Sequence, residues 1–231
     1  MRIVAIAAAL AATTLACRTA PKNRAAREIQ TVADADLGRL APEQMGPIQA
    51  SRAALDEARD AVARAQHRLR DSRHEEEWAN ADKAAAEGDR LHAAAELSSA
   101  KDAGDQRMMG LASEHAATAA LRAQAADARI EYARKLFQAR DAELKTAEAR
   151  VRRAEWEIER AKLMALREAK VPAASKYDAA PIERRVAEAV KAEDGARARA
   201  KDLATTSRTA YDQWRSLTDR YEARARSIPT G

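Results

Sequence analysis

From Ile48 to Lys170 the chain contains no proline, and its apolar residues return every seven positions. In the segment 48–103, Ile48, Leu55, Val62 and Leu69 recur with Ala58 and Ala65 between them. In 106–170, Ile130, Phe137, Leu144, Val151, Ile158 and Ala165 alternate with Ala133, Ala147, Ala154 and Ala161, with Arg140 as the one exception. In 181–227, Ile182, Val186, Ala189, Ala196, Ala200, Leu203, Ala210, Trp214, Leu217 and Tyr221 follow spacings of three and four, interrupted by Glu193 and Ser207. A repeat of 3.5 residues keeps one stripe of a helix turned to a partner, as in a coiled-coil seam. One large and one small residue per heptad lets antiparallel helices approach closely. The pattern predicts an all-α fold: an elongated antiparallel coiled-coil bundle of three long helices, about 48–103, 106–170 and 181–227. The first seam breaks at Glu76, and Ala84, Leu91 and Ser98 read as its resumption in another phase, a stutter.

Punctuation sets the boundaries. Gly104-Asp105 supplies a helix stop followed by an N-cap. Val171 to Pro181 reads as a loop, with Pro181 in the first turn of the third helix, and Pro229 ends that helix. Residues 18–47 carry Pro21, Pro42, Gly46 and Pro47 around a weakly helical patch, Ala25 to Leu40, and read as a flexible tether. As a coil its ends would lie ~30 Å apart.

Composition agrees with thin cores between long helices: 33% of residues are charged and only 3% aromatic. The first helix carries nine basic and twelve acidic residues, while the other two are net basic. That balance predicts an acidic first helix lying between two basic ones. It also spends most of the chain's net charge of +5 on helix packing. A nucleic-acid binder, the other reading of a basic chain, is not expected, because the N-terminus points to export.

Candidate chemistry is sparse. The chain has no glycine-rich phosphate loop, no Gly-x-Ser-x-Gly elbow and no His-Glu-x-x-His pair. His67 and His74 share a helix face near Asp71 and Glu75, but the simpler reading is two exposed histidines. No enzyme, no metal site and no bound cofactor are expected. Two tips stand out as interaction points. Met108-Met109 beside Gly110 forms a small apolar tip at the first turn. Arg215, Arg220, Arg224 and Arg226 form a basic one, suited to an anionic cell-wall polymer or a protein, although cations at a helix C-terminus also favour the helix dipole. Trp214 and Tyr221 fall on the seam and are expected in the core.

The N-terminus opens with Arg2, an apolar run from Ile3 to Ala12, then Thr14-Leu15-Ala16-Cys17. The run is about ten residues, short of the ~20 that span a bilayer. Cys17 is the only cysteine, and the segment resembles the lipobox-type signal of bacterial envelope lipoproteins. That resemblance implies removal of residues 1–16, a diacylglycerol thioether and an N-acyl chain on Cys17 (palmitate among the usual chains), and a chain whose only non-protein group is this lipid. Two or three acyl chains anchor stably where one does not. Arg18 after the cysteine, in place of the Asp that retains such proteins at the inner membrane, implies the inner leaflet of the outer membrane, facing the periplasm.

Residues 78–133 carry Trp78-Ala-Asn-Ala-Asp-Lys-Ala-Ala-Ala-Glu-Gly-Asp89, Ala93-Ala-Ala-Glu-Leu-Ser-Ser-Ala-Lys-Asp-Ala-Gly-Asp105 and Ala116-Ala-Thr-Ala-Ala-Leu-Arg-Ala-Gln-Ala-Ala-Asp-Ala128. They resemble the uncharacterised alanine-rich helical-hairpin domain of envelope lipoproteins, in which helices meet at a Gly-Asp turn. The resemblance implies an envelope role without catalytic residues.

Four segments are therefore expected: a signal peptide at 1–16, a lipidated N-terminus and tether at 17–47, the helical domain at 48–227 and a tail at 228–231. The expected function is a lipid-anchored periplasmic structural or adaptor lipoprotein. Its expected partners are the membrane and an envelope protein or wall polymer, and self-assembly is left open. The alternative is an accessory subunit of an envelope efflux, secretion or motility complex.

Overall fold

The structure, a computed structural model, describes residues 31–228, so Cys17 and the signal-like segment lie outside the described residues. Those residues are all-α, without a strand. A single turn, α1 (Asp34–Leu37), and a 3-10 turn (Pro42–Met45) precede α2 (Gly46–Ala103). After α2 come α3 (Gln106–Glu168), a second 3-10 turn (Pro172–Lys176) and α4 (Ala179–Ser227). At 63 residues α3 is ~95 Å long.

The turns are built by the expected chemistry. Gly104 takes a φ of 71° and donates its N–H to Lys101 O at 3.1 Å, closing α2 in the left-handed conformation that glycine adopts without strain. Asp105 then caps α3, its Oδ1 accepting from the amides of Arg107 (3.0 Å) and Met108 (3.1 Å). At its other end α3 closes with Lys170 at φ 53°. Val171 N–H reaches Leu166 O at 2.9 Å and Lys170 N–H reaches Arg167 O at 3.0 Å, the two bonds of a Schellman motif. Asp178 caps α4 through Ala180 N–H, which leaves Pro181 in the first turn.

Both helix pairs are antiparallel. Along α2 and α3 the ion pairs run Glu57–Arg150, Arg68–Glu143, Glu75–Arg129 and Glu96–His115, one number rising as the other falls. Along α3 and α4 they run Arg160–Glu183, Arg153–Glu193 and Glu114–Arg224.

The order of the helices differs from the expectation: basic α3, not acidic α2, is the middle one, and α2 and α4 both pack against it. The reason is that α3 carries two buried series. Ala154 and Ile158 enclose Leu55, and Ile130 and Ala133 enclose Ala79, so the seam visible in the sequence faces α2. A second series, Thr118, Ala125 and Ala139, is also buried, and Tyr132 within it meets Tyr211 and Trp214 of α4. One buried stripe serves one neighbour, and α2 has only one.

The α2 stripe does not stutter. Ala58, Ala65, Ser72, Ala79, Ala86, Ala93 and Ala100 are buried at unbroken intervals of seven, while Ala84, Leu91 and Ser98 are exposed. What changes after Leu69 is the chemistry of the large position. It passes to Glu76 and Lys83, which reach Arg134 (4.0 Å) and Asp127 (2.6 Å) of α3. The phase is kept by the small residues, and the large ones exchange apolar contact for ion pairs. Glu193 and Ser207, the two interruptions read in the third seam, are themselves buried, and Glu193 is satisfied by Arg153 at 3.3 Å and by Arg197.

The described part of the expected tether, residues 31–47, is fastened rather than loose. Val32 and Leu37 are buried. Val32 N–H donates to Glu159 Oε2 at 2.7 Å, and Ala33 N–H donates to the Tyr177 hydroxyl at 3.1 Å. That hydroxyl donates in turn to Asp36 at 2.7 Å, and Lys162 Nζ lies 2.9 Å from Asp34 and 3.0 Å from Glu159. The loop at 171–177 supplies the seat, with Val171, Ala173, Ala174 and Tyr177 buried. Prolines and a glycine suggested a coil, but the polar groups that hold this strap come from residues far along the sequence.

Candidate functional site

Because α2 and α4 flank α3 without packing on each other, a groove runs over α3 between them. One face of α3 forms its floor. His115, Arg122, Arg129, Leu136, Glu143 and Arg150 recur every seven residues, and all but Leu136 pair with α2. Pairs of this kind on a surface contribute a few tenths of a kcal/mol each and chiefly fix register.

At mid-length the groove opens into a cavity of about 450 Å³. Arg68, Asp71, Glu75 and Trp78 rise along one face of α2 on one wall, Arg129, Tyr132, Leu136 and Arg140 come from α3, and Trp214 from α4 closes the other wall. Tyr132 and Trp214 stack with ring centres 5.4 Å apart and planes 9° from parallel, and Tyr211 meets both edge-on. Arg129 lies 5.5 Å over the Trp214 ring, bonded to Glu75 (3.1 Å) and Asp82 (3.2 Å). Burial pulls the Arg129 pKa down, but the hydrogen bonds and charges of those two carboxylates outweigh it and the net shift is upward. Burial, followed by the Glu75 charge, pushes the Tyr132 phenol up. Trp78 stands apart from this packing, with 63% of its surface exposed at the rim.

This convergence was missed in the sequence. Trp214 was expected in the core, and it is packed on Tyr132, but its ring also walls the cavity. Trp78 appeared only as part of an alanine-rich stretch. The signal that could have found the site is scarcity: four of the chain's eight aromatic residues lie at one level of three helices.

Of the residues singled out in the sequence, Cys17 lies outside the described residues. Met108 is exposed and Met109 half-buried. The arginines at the end of α4 are brought to the same end of the helices, since Arg224 pairs with Glu114 at 2.7 Å. Arg224 is half-buried, with its Nε enclosed and its Nη2 on Glu114, so it joins α4 to α3 while still reaching the surface. Arg215 pairs with Asp219 at 3.6 Å, and Arg220 and Arg226 are exposed. His67 and His74 turn to different carboxylates, Asp71 (2.9 Å) and Glu77 (3.2 Å). Towards the α2–α3 turn His92 and His115 flank Glu96 at 3.4 and 3.5 Å, from α2 and α3. Among the described residues no group of three such side chains is arranged to hold a metal ion, and no helix is long and apolar enough to cross a membrane. No family model, no curated protein and no solved structure matches this chain.

Proposed function

We propose that the chain is a lipid-anchored structural or adaptor lipoprotein of the bacterial envelope, held by acyl chains on Cys17 at the outer membrane and extending helices into the periplasm. The observation that carries this reading is Cys17, the single cysteine, directly after the apolar run and Leu15-Ala16, and the strap supplies a mechanical footing for such an anchor. Thr31 follows Cys17 by fourteen residues, and the chain from there is clasped to the last turns of α3 through Lys162 and Glu159 and to the loop after it through Tyr177. A pull on the N-terminus is then borne by α3 itself, the helix on which both others pack. The base is the end formed by the start of α2, the close of α3 and the start of α4, and the far end carries the α2–α3 turn. Exposed Met108, Arg220 and Arg226 near that far end favour a second reading, an accessory subunit of an efflux, secretion or motility complex that docks a partner there.

Metabolic labelling with an alkyne-tagged palmitate tests the anchor. Label is expected on the native chain and absent from Cys17→Ser, and equal label on both overturns the anchor. Crosslinking in intact cells from positions 108 and 226, followed by identification of what is captured, divides the two readings.

A further inference from the structure

We propose that the mid-length cavity is a binding site for a neutral glycan, one pyranose ring lying against the Trp78 indole and its polar groups meeting Asp71 and the arginines of α2 and α3. An exposed indole on an otherwise alanine-rich and charged surface forfeits burial that a ligand's apolar face restores. The face of a pyranose ring is a row of C–H groups that suits a flat indole, and its rim is a mixture of donors and acceptors. The walls match that rim in kind. Asp71 gives one carboxylate oxygen to His67 and has the other for a ligand donor, while Arg68 and Arg140 supply N–H groups. An N-acetylated amino sugar fits best, since its acetamido group offers a donor to Asp71, an acceptor to an arginine and a methyl to the aromatic wall. The volume of about 450 Å³ lies within the usual range for small-ligand sites.

Two other occupants fit less well. A polyanion needs uncompensated cations, but Arg129 is held by Glu75 and Asp82, and Arg68 and Arg140 both bond Glu143. A partner helix needs a line of apolar anchors. The groove floor offers only Leu136 between Arg129 and Arg140, and the groove carries ion pairs above and below this level. The aromatic surface is confined to one level, the size of a ring rather than of a helix.

This inference goes beyond the anchoring role and does not depend on it, because the groove binds whatever happens at Cys17. The test is a fluorescence and calorimetric titration of the full chain in detergent micelles with the β-1,4-linked tetramer of N-acetylglucosamine. A dissociation constant on the order of 0.1–1 mM is expected, as befits one stacked ring and a few hydrogen bonds. Trp78→Ala is expected to weaken binding at least tenfold, with helicity and melting unchanged because the side chain is exposed. Asp71→Asn is expected to weaken it about threefold to tenfold. Maltotetraose is expected to bind about tenfold more weakly, and equal affinity overturns the acetamido assignment. No binding at 10 mM tetramer, a Trp78→Ala chain that binds as the native one does, or a polyphosphate that binds more tightly than the glycan overturns the site.

Discussion

The ammonium of Lys162 lies 2.9 Å from the carboxylate of Asp34, and this contact fastens the start of the described chain to the last turns of α3. Lys162 is 9% exposed, and Glu159, its second partner at 3.0 Å, also accepts the Val32 amide. The three charges and the Tyr177 hydroxyl act as one clasp. Replacing Lys162 by Met keeps the stem and removes the charge, leaving Glu159 without its ion-pair partner and Asp34 with only Arg52, 3.8 Å away. The expected loss is about 1–3 kcal/mol, most of it local. Hydrogen exchange should show Val32 and Ala33 amides losing protection while the amides in the middle of α3 keep theirs. Protection unchanged at Val32 would mean that the apolar seat alone holds the strap.

The clasp also predicts how the strap responds to pH. The hydrogen bond and charge of Lys162 hold the Asp34 carboxyl below its ordinary range. A depressed acid contributes stability above its unfolded value, about 4, and that contribution disappears as the pH falls through the folded value. Burial pulls Lys162 down, but its bonds to Asp34 and Glu159 outweigh this and raise it. A raised base contributes stability below its unfolded value, about 10.4, and loses it as the pH rises through the folded one. The strap should therefore be most protected between these limits and undock at both extremes. In Lys162→Met both pH-dependent losses should shrink, as read from protection factors at Val32 and Ala33.

Seam packing separates α2 positions that the sequence alone could not tell apart. Ala86 is fully buried, and Ala84, two residues away, is exposed. Leucine at 86 has no room unless α2 and α3 move apart, so Ala86→Leu should destabilise by about 1–3 kcal/mol. Ala84→Leu should change stability by no more than ~0.5 kcal/mol. Thermal melts of the two variants decide between the unbroken seven-residue stripe and a stutter, which predicts the reverse order.

The two helix stops should respond in opposite directions. Gly104 has open space around its Cα, so the penalty of Gly104→Ala comes from its φ of 71° alone, about 1–2 kcal/mol. Lys170 occupies the same left-handed region at φ 53° with a side chain attached. Lys170→Gly relieves that conformation and should stabilise by up to ~1 kcal/mol, less the entropy glycine adds to the unfolded chain. Calorimetric melting temperatures should move down for the first and up for the second.

These positions also show how much of the molecule the sequence makes legible. Helix ends were readable because glycine, aspartate and proline act on their own backbone: Gly104, Asp105 and Pro181 do locally what their chemistry demands. The stripe of α2 was readable to Leu69, because apolar side chains mark it there, and illegible beyond, where Glu76 and Lys83 occupy positions whose partners lie on α3. The second seam of α3 was hidden for a related reason. Thr118, Ala125, Tyr132 and Ala139 keep the seven-residue period, but nothing in the period says that another helix covers them. The strap and the aromatic cavity depend on residues brought together from distant segments, and no local signal reports that.

Glu193 tests how a carboxylate is kept in an alanine seam. Its side chain is 3% exposed, reached by Arg153 at 3.3 Å from α3 and by Arg197 from its own helix. Arg153 also holds Glu157 at 2.8 Å, and Arg197 also lies 3.3 Å from Asp194, so each arginine keeps an acidic neighbour without Glu193. Glu193→Ala should therefore cost only about 1–2 kcal/mol, with no buried cation left behind. The reverse deletion is different in kind. Arg153→Ala or Arg197→Ala alone leaves Glu193 with one partner and should cost about 1 kcal/mol, but the double variant strands a buried charge and should cost about 3–5 kcal/mol. A double-mutant cycle by urea denaturation should show a coupling of at least ~1 kcal/mol. Additive losses would mean that water reaches the carboxylate and that the seam is looser at Glu193 than its burial indicates.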